Sequence, residues 1–399
     1  MSEFGAQVSA FALPLTAVLL LHADAWQMGV LAALTTLPFG VVGPLVGVWA
    51  DRTRRRPLLV AADVGRTALM AAVPALALTH RLSLAVLYAI AFAAGCLTAL
   101  FDIAYQSYVP ALVGRERLSQ ANARLEASRA LSQVAGPGLG GVMVSALTAP
   151  IAVAASAATY ACSALTLGAI RHPEPPPQRP DPRAFWQEVW AGLAWVVRHP
   201  LLAPLAGCTA TANLFEHVGL ALYPLYAVRG VGLTPAVLGG VYAALSVGGL
   251  AGALAVGRVE GRLGTGRALL LSILASGAFL LLIPLAPRRE GAGAALLAVA
   301  AAGVGFGSTL YNVVQVTLRQ RLTPDALLGR MTASMRLFIW GTIPLGSLLG
   351  GLVATHLGLR STLWLSAVGD LTAVAWIAAS PLGAAGRGGE AGPARAGAS

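Results

Sequence analysis

The sequence predicts an all-α integral membrane protein, with twelve transmembrane helices in two six-helix repeats. Three observations lead there. The first is composition. The 399 residues are 57% hydrophobic and only 11% charged, with a mean hydropathy of +0.73. Soluble domains carry roughly 25% charged residues. The second is segmentation. Twelve apolar stretches run at roughly 4–22, 27–50, 58–79, 83–108, 122–145, 150–170, 201–226, 235–257, 267–286, 293–318, 328–354 and 361–381. Each is near the length of about 20 residues that a helix needs to cross a bilayer. The third is internal repetition. An offset of 210 pairs Pro14-Leu15 with Pro224-Leu225, and Gly47 and Arg52 with Gly257 and Arg262. The same offset pairs Phe101-Asp102 with Tyr311-Asn312, and Gly140-Gly141 with Gly350-Gly351. One offset held at four separated places marks a tandem duplication.

Composition also excludes several functions. The formal net charge is +11, and all 27 basic residues are arginine. Those arginines sort by loop, so nucleic acid is not an expected partner. A phosphate-binding loop with its lysine is ruled out by the absence of Lys. Cys96, Cys162 and Cys208 sit in apolar runs at unrelated spacings and read as buried free thiols. The six histidines lack ligand spacing, so neither a metal nor a cofactor is expected. No catalytic set converges, and the chain does not read as an enzyme.

The loops give the topology. Those after spans 2, 4, 6, 8 and 10 hold sixteen arginines, and the opposite loops hold five. The positive-inside rule then puts both termini in the cytoplasm of a multi-pass protein of the inner (plasma) membrane. The N-terminal apolar run has no basic flank and no cleavage site, so a cleaved signal peptide is not expected.

Residues 1–170 form the first predicted bundle. A linker follows at 171–200. It opens with Pro173-Glu174-Pro175-Pro176-Pro177-Gln178-Arg179-Pro180-Asp181-Pro182, which cannot be helical. Arg183 to Arg198 then places Phe185, Trp186, Val189, Trp190, Leu193 and Val197 at helical spacing, as an amphipathic helix in the interface does. The second bundle spans 201–382, and 383–399 reads as a disordered cytoplasmic tail. Under the 210 offset, span 1 lacks about ten residues present in span 7. Either span 1 is short or the chain begins upstream.

The loop after span 2 is Gly47-Val48-Trp49-Ala50-Asp51-Arg52-Thr53-Arg54-Arg55-Arg56. With the twelve spans and the central linker, it resembles the major facilitator superfamily over essentially the whole chain. Leu58 to Arg66 and Tyr108 to Asn122 are similar to the enterobactin-exporter and macrolide-efflux branch. Gly136-Pro137-Gly138-Leu139-Gly140-Gly141 resembles the Gly-Pro-x-x-Gly-Gly pattern of that superfamily's antiporters, carried here by Gly136, Pro137, Gly140 and Gly141. The sequence departs from the pattern at Arg54, which replaces the usual loop glycine. It departs again at Gly261, which stands where the first repeat has Asp51. Span 4 also lacks the arginine that many drug/proton antiporters carry.

The resemblance implies that spans 1, 4, 7 and 10 line a central cavity. Charges inside spans are costly and therefore informative. Asp102 and Tyr105 in span 4, Asn213 and Glu216 in span 7, and Asn312 in span 10 are the candidates for substrate or proton. Asn213 and Glu216 stand at i and i+3, on one helix face. Asp63, Arg66, Glu126 and Arg129 lie near the cytoplasmic ends of spans 3 and 5. They form the candidate gate network, with Gly47, Asp51, Arg52, Arg55 and Arg56 of the loop. Arg336 and Asp370 add charges to spans 11 and 12. The glycines of span 5 permit close helix packing that shuts the outer half of the cavity.

The expected function is secondary active transport by alternating access. The resemblance implies proton-coupled export of amphipathic small molecules of the drug, macrolide or siderophore type. The alternatives are a nutrient importer or uncoupled facilitator of the same fold and, more remotely, a non-transporting receptor or scaffold. The expected partners are a small molecule, the proton and the lipid bilayer, and a monomer is the expected state. Asp51 is expected to cap the start of span 11 when the cytoplasmic side is shut, where a helix N-terminus favours an anion. Asp51→Asn should then shift single-cysteine accessibility toward the inward-open form. Unchanged labelling on both faces refutes the latch.

Overall fold

A chain in lipid must satisfy its backbone polar groups internally, and helices do this within one segment. The computed structural model describes residues 1–41, 53–113, 115–170 and 182–385, and these are helical apart from short turns. The first half holds α1 (Ser2–Leu19), α2 (Ala25–Val41), α3 (Arg55–Leu78), α4 (Leu84–Val113), α5 (Leu118–Ala146) and α6 (Ala149–Ala169). A linker helix, α7 (Pro182–Arg198), leads to α8 (Leu202–Leu220). The second half continues with α9 (Pro235–Leu280), α10 (Glu290–Leu322), α11 (Asp325–Leu357) and α12 (Leu359–Thr372).

Seven helical segments among the described residues are long and apolar enough to cross a membrane. The others run beside them. The helix α1 packs on α5 and α6, α2 on α4 and α11, and α8 on α11 and α12. Polarity explains why α5 is not among the seven: its first half carries Arg124, Glu126 and Arg129.

Three boundaries differ from expectation. Spans 8 and 9 are one helical run that folds back at Gly264. Its φ of 75° is a conformation that a side chain resists, and it reverses the chain without a longer loop. Residues 383–385 belong to a short helix, Pro381–Ala385, rather than to a disordered tail. The helix α7 does form, but it is docked. Val196 is fully buried and Trp195 packs in the same cluster, while Trp190 and Val197 stay exposed. The proline-rich stretch, the rest of the tail, and Gly47, Asp51 and Arg52 lie outside the described residues.

Two helix crossings join the halves, and they are copies of each other. A Cβ placed on Gly141 of α5 would meet the Pro235 carbonyl oxygen of α9 at 2.5 Å and the Gly239 Cα at 3.1 Å. A Cβ on Gly351 of α11 would meet the Ala25 carbonyl oxygen of α2 at 3.0 Å and the Gly29 Cα at 3.1 Å. Under the 210 offset, Gly141, Pro235 and Gly239 map onto Gly351, Ala25 and Gly29. Backbone therefore rests on backbone at both crossings, as small residues allow in membranes. Both lie at the end of the bundle away from the termini.

Other contacts close the same end. Arg229 donates from one guanidinium nitrogen to the Ala23 carbonyl (3.0 Å) and from another to the Val18 carbonyl (2.9 Å). Beneath them, Phe11 of α1 meets Tyr242 of α9 edge-on at 5.5 Å, and Tyr242 meets Tyr223 at 5.8 Å. Toward the termini α5 stands apart, with every residue from 122 to 131 exposed, while α2 and α11 stay in contact as far as Phe39, stacked on Trp340 at 4.4 Å. The length mismatch of the repeats is also visible. The helix α8 begins at Leu202, and residues 202–210 have no counterpart in α1 under the offset.

Replacement of Gly141 by Ala should cost about 1–3 kcal/mol, the usual toll of overpacking a filled contact. A methyl group on Gly138 would have nothing within 4 Å of it, so Gly138→Ala should be neutral or slightly stabilising. Thermal unfolding of the two purified variants checks this contrast.

Candidate transport site

The first-half candidates form a buried knot. Asp63 and Arg66 stand one turn apart on α3, both almost wholly buried, and form an ion pair. Ser2 of α1 donates to the Asp63 carboxylate at 3.3 Å, and Arg66 donates to the Ser2 hydroxyl at 3.2 Å. The Arg66 guanidinium lies over the rings of Phe101 on α4 (4.3 Å) and Tyr160 on α6 (4.5 Å). One cation thus ties four helices together, sandwiched between two aromatic faces.

Glu126 and Arg129 do not join that knot. They make their own pair at 4.0 Å on α5, with side chains 72% and 58% exposed. Among the described residues, Asp63 with Arg66 and Glu126 with Arg129 are two separate pairs. Arg56 also acts within its own half. It donates to the Leu167 carbonyl at 3.0 Å and to the Gly168 carbonyl, so its charge sits on the C-terminal end of α6. Arg55 starts α3 beside it.

Asp102 of α4 is exposed toward the space between the halves, with Glu3, Arg66, Arg129 and Arg336 as the charges within reach. Tyr105 stacks on Phe101 at 5.8 Å. One turn further on, Gln106 accepts from Arg336 of α11 at 3.4 Å, a contact across the halves.

The second-half candidates do come together, in a polar chamber of about 330 Å³ inside that half. Asn213 and Glu216 of α8 line it with Asn312 of α10, as their helical faces imply. Asp102 and Tyr105 are not among its walls. Local bonds hold the polar groups in place. Asn213 donates to the Thr209 carbonyl at 2.8 Å, and Gln315 donates to the Asn312 side-chain oxygen at 3.0 Å. The hydroxyls of Thr209 and Tyr311 lie 2.9 Å apart, and those of Ser276 and Ser308 lie 3.1 Å apart. Asn312 is exposed, so the chamber opens toward the space between the halves.

Sequence reasoning misses five further polar walls, Thr209, Ser272, Ser276, Ser308 and Gln315. It marks Asp370 only as a charge in span 12, yet this residue lines the chamber at 4% exposure. The signal for Asp370 is a carboxyl in an apolar run. The serines give none, because a serine in a helix satisfies itself on the preceding turn, as Ser272 does on the Ala268 carbonyl. The glycine motif also finds its place. Gly136 and Gly140 face Gln7 and Phe11 of α1, and Pro137 and Gly141 face α9. No cluster of three or more metal-ligating side chains occurs among the described residues.

Two bundles, a shared seal and a polar chamber open to the space between them are the build of a membrane transporter. The sequence profile of the Major Facilitator Superfamily matches residues 1–321 and again 205–395, and the chain belongs to that family. It is thus a multi-pass membrane transporter of a small molecule. It is 29% identical over 356 residues to the multidrug efflux pump Tap of Mycolicibacterium fortuitum, covering 86% of this chain and 84% of that protein. Over 327 residues it is 29% identical to the enterobactin exporter EntS of Shigella boydii serotype 18, covering 80% and 74%. The fold is shared with a bacterial homologue of the iron transporter ferroportin crystallised in an inward-facing state. That match has a TM-score of 0.69 at 17% identity over 94% of this chain and 95% of the other.

The two ion pairs should differ sharply on mutation. Asp63→Asn strands a buried guanidinium and should cost about 3–5 kcal/mol. Glu126→Gln removes an exposed pair and should leave stability unchanged. Chemical or thermal unfolding of the two variants in one detergent measures the difference.

Proposed function

We propose that this protein is a proton-coupled exporter of amphipathic small molecules, working by alternating access in the bacterial inner membrane. The observation that carries the reading is the asymmetry of the contacts between the halves. Paired glycine crossings seal one end, whereas at the end that bears the termini and the arginine-rich loops α5 stands exposed and the halves meet through α11, at Trp340 with Phe39 and at Arg336 with Gln106. With those loops in the cytoplasm, this is an inward-facing state, ready to take a substrate from inside. Export is further supported by the similarity to Tap and EntS, both named as exporters.

The bundles 1–170 and 201–382 would rock as units about the two crossings, with the linker 171–200 joining them. The Gly136 to Gly141 run would keep the outer end tight while the cytoplasmic end is open, as an antiporter needs. In the opposite state the loop with Gly47, Asp51 and Arg52 would close the cytoplasmic end, as the resemblance implies. Asp102 on the cleft wall and Glu216 in the chamber are the groups that would bind and release the proton. One chain carries both halves of the site, so a monomer suffices.

Proteoliposomes with an imposed proton gradient test the reading. The wild type should drive uphill drug efflux that an uncoupler abolishes. The double variant Glu216→Gln with Asp102→Asn should lose most gradient-driven transport while still binding an uncharged drug. Undiminished uphill transport by that variant removes the coupling role from both carboxyls.

A further inference from the structure

The chamber in the second half has an unusual charge inventory. Asp370 is only 4% exposed, yet no hydrogen bond or ion pair from a described residue reaches its carboxylate. Its carboxylate is pressed toward α9, 3.3 Å from where a methyl group on Gly277 would lie. The charged group within its electrostatic reach is another carboxyl, Glu216, which lines the same chamber. No arginine or histidine stands among the described walls. Two carboxyls facing one cavity, without a base, is an arrangement that low-dielectric surroundings penalise. A proton on one carboxyl or a positive guest removes the penalty, and an anionic guest is repelled.

The space indicates what kind of cation fits. A site for one water needs about 10–15 Å³, and the chamber holds about 330 Å³. That is far too roomy for a bare ion. Glu216 is also a wall of a second, smaller compartment of about 110 Å³. That compartment is lined by Tyr223, Tyr242, Leu245 and Val304 and is almost wholly apolar. Glu216 thus stands at the junction of a polar room and an aromatic-lined one. The polar groups around Asp370 are amides and hydroxyls, from Asn213, Asn312 and Ser308 among others, whose oxygens can accept from an ammonium group.

We propose that this chamber is a binding site for a small amphipathic ammonium ion. Its charged nitrogen sits between Asp370 and Glu216, and its hydrocarbon end fills the compartment under Tyr223 and Tyr242. The site lies within one half, apart from the cleft-facing Asp102. Its place in a transport cycle rests on the exporter reading, whereas binding itself does not.

Calorimetric titration of the purified full-length protein in detergent tests the site, with phenethylamine as the probe and phenethyl alcohol as its uncharged counterpart. The amine should bind about tenfold tighter than the alcohol. Asp370→Asn should weaken the amine about tenfold or more and leave the alcohol unchanged. Glu216→Gln carries the same expectation, should the first variant not fold. Glu116→Gln, an exposed charge on a short turn, should bind as the wild type does. Equal affinity for amine and alcohol overturns the proposal, as does full amine affinity in Asp370→Asn or Glu216→Gln. If sodium chloride stabilises the wild type but not Asp370→Asn against heat, and the amine does not, the occupant is a bare ion and the proposal fails. No gradient or cycling is involved, so a failure here leaves the exporter reading intact, and a failure of the efflux test leaves the site intact.

Discussion

Everything else in this structure hangs on two places where backbone touches backbone. Gly141 rests on Gly239, and Gly351 on Gly29, with no side chain between them. Such contacts owe little to hydrophobic burial, since lipid is as apolar as the helices. Close van der Waals packing holds them. They also fix a pseudo-symmetry axis, because each contact is the image of the other under the repeat. The polar chamber, the aromatic contacts of Phe11, Tyr242 and Tyr223, and the exposed turns of α5 all take their places relative to that axis.

The fold is largely legible in the sequence because lipid constrains it so strongly. Runs of apolar residues become helices, and arginine-rich breaks become loops. The duplication is legible because its two copies keep one register from Pro14 to Gly351. The misses have local causes. At Gly264 one positive φ does the work of a loop, and nothing short of the structure distinguishes that glycine from the others among the 46 in the chain. The apolar spacing of α7 reveals the helix but not its docking against α11, because an amphipathic pattern does not name the partner surface.

The site divides along similar lines. Asn213, Glu216 and Asn312 announce themselves as polar groups in hydrocarbon and do share a chamber. Asp63 and Arg66 stand out for the same reason, but their partners do not. Ser2, Phe101 and Tyr160 are brought to them by three other helices. The grouping with Glu126 and Arg129 fails because closeness to the same membrane face is not closeness in space. Asp370 is visible as a charge, but its significance depends on Glu216 being its neighbour, and only tertiary structure reveals that. Roles that fall on Asp51 and its loop rest on resemblance alone.

The Arg229 contact has a consequence of a different kind. Its acceptors are carbonyls of the chain turning out of α1, not carboxylates. A carbonyl is present whatever residue occupies the position, so the fastening itself does not depend on the side chains at residues 18 and 23, which are buried in the core. Nor is the grip an ion pair, whose strength at a surface fades as salt accumulates. A closure built from dipoles and touching glycines would hold across changes in ionic strength.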